Sequence, residues 1–181
     1  MAIYVANNGQ LQTVKGVYKV IGRNLLLPSG INYGSYVVQD ETFMNNRVVK
    51  LLYNWQSVYF TVSNITPDTD YTFSIYTKST FNYGSYPYFQ FSIIEYDSDN
   101  VQKVIYKLPG DVQTRFITMT LDWIRFSYTF RVSNTGVKIR IQFGNHGWNR
   151  SSIICYASTP KVEEGTVATE WVPAQGIDTP Y

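Results

Sequence analysis

The chain has 181 residues, of which 44% are hydrophobic and only 15% are charged. This length suits one main domain with an appendage, and the apolar content is sufficient for a core. The net charge of +2 argues against a nucleic-acid partner, because neutralising phosphates requires clustered Lys and Arg. A membrane partner is not expected either. No apolar run approaches the roughly 20 residues that span a bilayer, and the start of the chain lacks a signal-peptide pattern.

The first 22 residues carry a hairpin signal. Ile3–Val5 is predicted as a short strand, Asn7-Asn8-Gly9 as a turn, and Leu11–Val14 and Val17–Ile21 as two further strands, because Asn-Gly tolerates the positive φ of tight hairpins. A segment this small cannot bury a face alone. We therefore predict three parts: an N-terminal β-hairpin segment at 1–22, a main domain at 23–175, and a C-terminal tail at 176–181.

The main domain alternates apolar and polar residues in several windows, which indicates strands with one buried face. The predicted strands are 55–62, 71–77, 88–96, 101–108, 125–132 and 137–143. Many short strands separated by Pro, Gly and Asn turns predict an all-β fold, an antiparallel β-sandwich of the jelly-roll type. Residues 41–54 lack a clear period, and a short helix is one prediction for them.

The single cysteine, Cys155, excludes an internal disulfide. It lies in the apolar run Ser151–Ala157, so we expect a buried, unreactive thiol. The four tryptophans belong to an aromatic excess that includes 16 Tyr and 10 Phe. Trp171 is predicted to pack in the core, and Trp123 in the core or at its edge.

The most specific pattern follows that apolar run, in Pro160–Ala174. Together with the preceding Thr159 it reads Thr-Pro-Lys-hydrophobic-Glu-x-Gly-x-x-Ala-Thr-x-Trp-x-Pro. With the opening Asn24-Leu25-Leu26 and the strand Tyr71–Lys78, it resembles carbohydrate-binding-module-like jelly-roll domains of bacteriophage tail, baseplate and fibre proteins. The pattern around Asn8-Gly9 similarly resembles hairpin repeats of such proteins.

The resemblance implies a non-enzymatic role, namely binding a host bacterial cell-surface or cell-wall saccharide within a phage adhesion device. The expected partners are that polysaccharide and other virion tail proteins, and the expected location is the tail or baseplate, assembled in the host cytoplasm. The oligomeric state stays open. The alternative is a structural or decoration module whose aromatic surface contacts other proteins. Small glycan hydrolases or lyases are disfavoured, because binding modules share this closing pattern.

Candidate saccharide-binding residues combine aromatic rings with planar polar groups. A sugar presents an apolar C–H face that stacks on a ring, and its hydroxyls suit Arg, Gln and Asn. One group lies after the last predicted sheet strand, in the loop that contains Asn145, His146, Trp148 and Asn149. A second group is the Tyr-rich loop with Tyr83, Tyr86 and Tyr88. A third occupies polar strand faces and comprises Tyr76, Arg140 and Gln142.

Each group has a simpler interpretation. The strand residues can form an ordinary solvated face, and Trp148 can fold back over the core edge. A catalytic role for His146 is disfavoured, because no carboxylate or nucleophile is spaced nearby. Which strands share a sheet cannot be read from the sequence, so the three groups are not assigned to a common groove.

No cofactor is expected. The resemblance allows a structural calcium between the first and last strands, near Glu163 and Glu164, with Asp40 and Glu41 as further candidates. Calcium takes six to eight oxygen ligands, and no dense carboxylate loop is visible, so no ligand set is assigned.

Overall fold

A computed structural model describes residues 12–14, 17–19, 22–33, 37–52, 56–80, 89–107, 122–145 and 154–173. Within these ranges the chain is built from strands, turns and one short 3-10 helix, Pro28–Gly30. The described strands are β1 (Gln12–Val14), β2 (Val17–Lys19), β3 (Ile31–Asn32), β4 (Val37–Phe43), β5 (Asn46–Leu51), β6 (Ser57–Ser63), β7 (Asp70–Ser79), β8 (Phe89–Tyr96), β9 (Gln102–Lys107), β10 (Ile124–Arg131), β11 (Lys138–Asn145) and β12 (Cys155–Glu164). The predicted all-β class is confirmed.

Two five-stranded antiparallel sheets form the sandwich. The front sheet has the order β3-β6-β11-β8-β9, and the back sheet has the order β10-β7-β12-β5-β4. β1 and β2 pair separately, with Val14 opposite Val17, as a hairpin. This agrees with the strands predicted on both sides of Lys15-Gly16, whereas the predicted strand at Ile3–Val5 and its turn lie outside the described residues.

The core lies between the two sheets and follows the period-two alternation predicted from the sequence. The inward residues of β7 are Tyr71, Phe73 and Ile75, and those of β11 are Ile139, Ile141 and Phe143. All six are 1% exposed or less. Burying one such side chain contributes about 1.5–3 kcal/mol. The intervening residues of each strand therefore face outward, and this fixes which side chains a ligand can reach.

The region at 41–54, for which a short helix was one prediction, contains a β-hairpin instead. β4 and β5 pair through a two-residue turn, Met44-Asn45, in which both residues have positive φ (51° and 62°). Such a turn matches the twist of the flanking strands. The Asn46 side chain supports it by donating a 2.8 Å hydrogen bond to the Met44 carbonyl.

The opening and closing sequence patterns meet in space through Asn24, which is 1% exposed. Its Oδ1 accepts hydrogen bonds from Leu26 N (3.0 Å) and Val162 N (3.3 Å), and its Nδ2 donates to the carbonyls of Pro160 (3.3 Å) and Val172 (3.2 Å). All four hydrogen-bonding positions of the amide are used. One side chain thus ties the start of the domain to both ends of the closing pattern.

Residues 165–173, called here the closing strap, follow β12 and return over the outer face of the back sheet. Thr169 is the centre of its attachment: its Oγ1 accepts hydrogen bonds from Gly22 N (2.7 Å) and Lys161 Nζ (2.6 Å) and donates to Glu163 Oε2 (2.5 Å). Lys161 and Glu163 are 0% and 1% exposed and form a 3.0 Å ion pair. The strap therefore covers a buried charged pair.

Trp171 belongs to this strap, not to the core as predicted. It is half-buried, and its Nε1 donates to the Pro160 carbonyl at 3.2 Å. The indole N–H needs a polar partner when it is buried. The Pro160 carbonyl supplies one, because the register of β12 shifts between Ser158 and Lys161. Its role is to anchor the strap.

Candidate functional site

The outer face of the front sheet carries a compact set of polar and aromatic side chains. In the β6–β11–β8 registers, Arg140 lies between Thr61 and Ile94, and Gln142 lies between Tyr59 and Ser92. Their chain neighbours Ile139, Ile141 and Phe143 fill the core. Alternation along β11 therefore directs Arg140 and Gln142 outward.

Arg140 lies between two tyrosine rings. Its guanidinium carbon is 5.4 Å from the ring centroid of Tyr59 and 5.8 Å from that of Tyr96. Each contact is within the range of a cation–π interaction. The Arg140 Nε is buried and has no hydrogen-bond partner among the described residues. The rings thus hold the guanidinium in place while part of its donor capacity stays unused.

Two further polar groups lie beside this arginine. Lys138 Nζ is 4.5 Å from the Tyr96 ring centroid and donates to Asn100 Oδ1. Gln142 Nε2 donates to Ser57 Oγ at 3.1 Å. We call Tyr59, Tyr96, Lys138, Arg140 and Gln142 the front-face cluster. It combines flat apolar rings with planar and cationic donors, which is the combination needed to stack a sugar ring and bind its polar substituents.

The outer face of the back sheet carries a different cluster, formed by Phe43, Tyr76, Trp123 and Tyr156. Phe43 stacks on Trp123 with centroids 4.3 Å apart and packs against Tyr76 at 5.1 Å. Lys78 Nζ lies 4.9 Å from the Trp123 centroid and 4.8 Å from that of Tyr156. Trp123 is thus half-buried on an outer face, at the edge of the sandwich.

Two cations of this back face, Lys78 and Arg125, already have partners within the chain. Lys78 forms a 2.5 Å ion pair with Glu41. Arg125 donates to Ser74 Oγ at 2.9 Å and to the carbonyl of Thr169 in the strap. The back face is therefore largely occupied by contacts within the chain, and the front face is the better candidate for a ligand.

The predicted site residues are divided between these two faces. Arg140 and Gln142 lie together on the front face, whereas Tyr76 lies on the opposite side of the sandwich against Phe43. Tyr59 and Tyr96 were not among the predicted site residues. Alternation indicates that both face outward, but only the β6–β11–β8 pairing reveals that they enclose Arg140.

The other predicted residues lie outside the described parts of the chain: Tyr83, Tyr86, Tyr88, His146, Trp148 and Asn149. For Asn145 only the backbone is described. Asn145, the last residue of β11, pairs with Phe89, the first residue of β8, and Gly144 pairs with Ser57 at the start of β6. Segments 81–88 and 146–150 are therefore joined to the same end of the front sheet.

Two of the four carboxylates considered for calcium already have a cationic partner. Glu163 binds the Lys161 ammonium at 3.0 Å and Glu41 binds the Lys78 ammonium at 2.5 Å, so each negative charge is already balanced. Among the described residues no three His, Cys, Asp or Glu side chains come together. In the same part of the chain, no helix is long and apolar enough to cross a membrane.

The comparisons with known proteins indicate the fold. The CBM22-1 xylan-binding domain of Xyn10C from Paenibacillus barcinonensis superposes with a TM-score of 0.54 at 10% identity, covering 91% of this chain and 100% of that domain. The CBM22-1–GH10 part of xylanase 10B from Clostridium thermocellum, in complex with xylohexaose, has a TM-score of 0.50 at 14% identity, with 86% of this chain and 30% of that one covered.

The baseplate tripod of bacteriophage Tuc2009 has a TM-score of 0.48 at 19% identity, covering 86% of this chain and 59% of that one. No protein-family model matches the chain, and no curated protein matches it. The expected likeness to carbohydrate-binding-module jelly rolls is thus confirmed at the level of the fold.

We expect Cys155 to be unreactive toward Ellman's reagent in the folded protein. The residue is fully buried, and burial raises the pKa of its thiol, so the reactive thiolate is scarce at neutral pH. Absorbance of the released thiolate should reach one equivalent only after unfolding in guanidinium chloride. Rapid stoichiometric reaction in native buffer would contradict the buried position.

Proposed function

We propose that this chain binds a bacterial cell-surface or cell-wall saccharide without cleaving it, as an adhesion module of a phage tail or baseplate. The observation that carries the proposal is the front-face cluster. Tyr59 and Tyr96 offer ring faces, while Arg140 and Gln142 offer planar donors on the same strand. Aromatic stacking with hydrogen bonding needs little rearrangement when the sheet already holds these groups in place.

The fold supports this proposal, because it is similar to that of a xylan-binding domain. Fold alone does not determine function, so the composition of the front face is the stronger support. The proposed phage setting includes virion tail proteins as partners and assembly in the host cytoplasm. It is supported by the resemblance of the Asn24–Leu26 and Pro160–Ala174 patterns to phage modules. In that setting several weak sites act together through effective concentration.

The experiment that tests the proposal is labelling of intact Gram-positive cells with fluorescently tagged protein. The same cells are then stripped of polysaccharide and labelled again. Labelling that disappears on stripping supports a saccharide receptor. Labelling that persists on stripped cells, or no labelling of any strain tested, would overturn it. Release of reducing ends from the isolated polysaccharide is measured in parallel, and turnover would contradict the non-catalytic assignment.

We expect Tyr59→Ala to weaken saccharide binding by about 0.5–1.5 kcal/mol, the range for one aromatic contact. Tyr156→Ala is the matched control, because Tyr156 is a half-buried tyrosine on the outer face of the back sheet. Isothermal titration calorimetry with the receptor polysaccharide compares the two, after circular dichroism has verified folding. Equal losses for both variants would argue against the front face.

We also expect Trp148→Ala to weaken binding by at least about 1 kcal/mol. Trp148 follows β11 by three positions and is joined to the end of the sheet that carries Gln142. The same calorimetric titration measures the effect. A folded Trp148→Ala protein with unchanged affinity would remove this residue from the proposed site.

The structural alternative is favoured by the back-face aromatic cluster. Phe43, Trp123 and Tyr156 are half-buried, and Met44, in the adjoining turn, is 47% exposed. Apolar surface of this kind suits contacts with other protein chains. Loss of virion incorporation in a Trp123→Ala variant with normal polysaccharide binding would support that second role.

A further inference from the structure

We infer that the front-face cluster selects saccharides that carry negative charge, as phosphate or carboxylate groups. This inference rests on the proposed saccharide-binding function and specifies its ligand. It follows from how Arg140 is held, from the charge of the surrounding face, and from the anionic partners of three cations of the back sheet.

Three cations of the back sheet have an anionic partner. Lys161 pairs with Glu163 at 3.0 Å, Lys78 pairs with Glu41 at 2.5 Å, and Arg131 lies 3.4 Å from Asp70. Arg140 differs from these cations. Its contacts in the described part of the chain are the two tyrosine rings. Its buried Nε, like that of Arg125, has no hydrogen-bond partner there, but Arg125 also donates to Ser74 and to the Thr169 carbonyl. Arg140 is half-buried, and a charged group without a counter-ion becomes more costly as it loses water.

The described part of the surrounding face adds positive charge and supplies no acid. Lys138, two positions before Arg140, contacts the same Tyr96 ring and donates a hydrogen bond to the neutral side chain of Asn100. The described outward side chains of β3, β6, β11 and β8 include no Asp or Glu: Asn32, Ser57, Tyr59, Thr61, Ser63, Lys138, Arg140, Gln142, Ser92, Ile94 and Tyr96.

Two acidic residues next to this face, Asp97 and Glu95, serve other structures, and Asp99, exposed in the same turn as Asp97, forms no ion pair with Lys138 or Arg140 among the described residues. Asp97 lies in the turn after β8, where its Oδ1 accepts hydrogen bonds from Asp99 N (3.1 Å) and Val101 N (2.8 Å). Glu95 is 0% exposed, points to the interior side of β8, and accepts hydrogen bonds from Ser133. Two like charges, on Lys138 and Arg140, thus share one tyrosine without a counter-ion in the described part of the face.

An anionic ligand group would complete this arrangement. Guanidinium binds carboxylate and phosphate with matched planar geometry, and the rings of Tyr59 and Tyr96 limit the orientations that Arg140 can adopt. The tyrosine faces remain suited to the C–H face of the sugar that carries the charge. A neutral glycan would satisfy the rings but would leave both cations unpaired.

The experiment uses the full chain and polysaccharides isolated from a panel of Gram-positive strains. Each binder is tested intact, after hydrofluoric acid, which cleaves phosphodiesters, and after carbodiimide-assisted borohydride reduction, which converts carboxylates into alcohols. We expect one treatment to lower affinity about tenfold or more, and the treatment that does so identifies the source of charge. Affinity for the intact polymer should also fall with added salt.

Arg140→Gln should reproduce that loss on the intact polymer and have little effect on the neutralised one. Arg47→Gln is the matched control, because Arg47 is an exposed arginine of the back sheet, and it should bind as the wild type does. A polysaccharide that binds equally well before and after both treatments would overturn this inference and leave the proposed function intact. Binding to none of the polysaccharides would overturn the proposed function, and the inference with it.

Discussion

Replacing Lys161 with Met should lower the free energy of unfolding by about 3–5 kcal/mol, the usual cost of removing one partner of a buried ion pair. Lys161 is fully buried beside Glu163 and donates to Thr169 Oγ1 and to the Glu170 carbonyl at 2.7 Å. In Lys161→Met the Glu163 carboxylate keeps its place under the strap without a counter-charge. Chemical denaturation measures the loss.

Two further variants separate this effect from the loss of packing. The double variant Lys161→Met/Glu163→Gln removes both charges and should recover more than half of the lost stability. Lys50→Met replaces a less buried lysine of the same sheet and should change stability by no more than about 0.5 kcal/mol. A single Lys161→Met variant within about 1 kcal/mol of the wild type would refute the assigned role of the pair.

The same pair has a pH signature of defined sign. Burial lowers the pKa of Lys161 below its ordinary value, against the opposing effect of Glu163. Between the folded and unfolded pKa values the unfolded chain binds more protons, so this group's contribution to stability rises with pH. The difference in unfolding free energy between wild type and Lys161→Met should therefore grow as the pH rises toward the ordinary lysine pKa of about 10.4. A constant difference would contradict the lowered pKa.

Asn24→Ala should destabilise the domain by about 3 kcal/mol or more. It would leave the N–H groups of Leu26 and Val162, which Asn24 Oδ1 now accepts at 3.0 and 3.3 Å, without that partner. Each buried group left unsatisfied costs about 1–3 kcal/mol. The substitution also removes the donor to the Val172 carbonyl, which helps hold the strap. Thermal and chemical denaturation both measure the effect.

Asn134→Ala is the control for that loss, because Asn134 is an exposed turn residue and should cost no more than about 0.5 kcal/mol. Asn24→Asp provides a sharper comparison. It retains the acceptor for Leu26 and Val162 but brings a carboxylate oxygen near the carbonyls of Pro160 and Val172, where the wild type places a donor. If Asn24→Asp were as stable as the wild type, the hydrogen bonds from Asn24 Nδ2 would make no contribution to stability.

The core was predictable because a half-buried strand repeats every two residues. That period identifies Tyr71, Phe73 and Ile75 as one buried row without knowledge of the partner strand. The β4–β5 hairpin was not predicted. Its turn residues, Met44 and Asn45, adopt positive φ without the Asn-Gly pair that usually marks such a turn.

Strand pairing was the main limit for the candidate site. Outward positions follow from alternation, so Arg140 and Gln142 could be proposed as ligand contacts. Sequence spacing does not tell which sheet a strand joins, and Tyr76 and Arg140 prove to be on opposite sides of the sandwich. Similarly, β12 continues through Pro160 because a register shift between Ser158 and Lys161 accommodates the ring, and prolines are tolerated at bulges.

The bond between Gly22 and Thr169 has a mechanical consequence. The described residues 22 and 173 lie near each other, on the side of the back sheet. A pulling force applied through both ends would be carried first by Gly22, Thr169 and the Lys161–Glu163 pair beneath them. The two sheets would bear little of that load, so the front face could keep its shape while the domain is under tension.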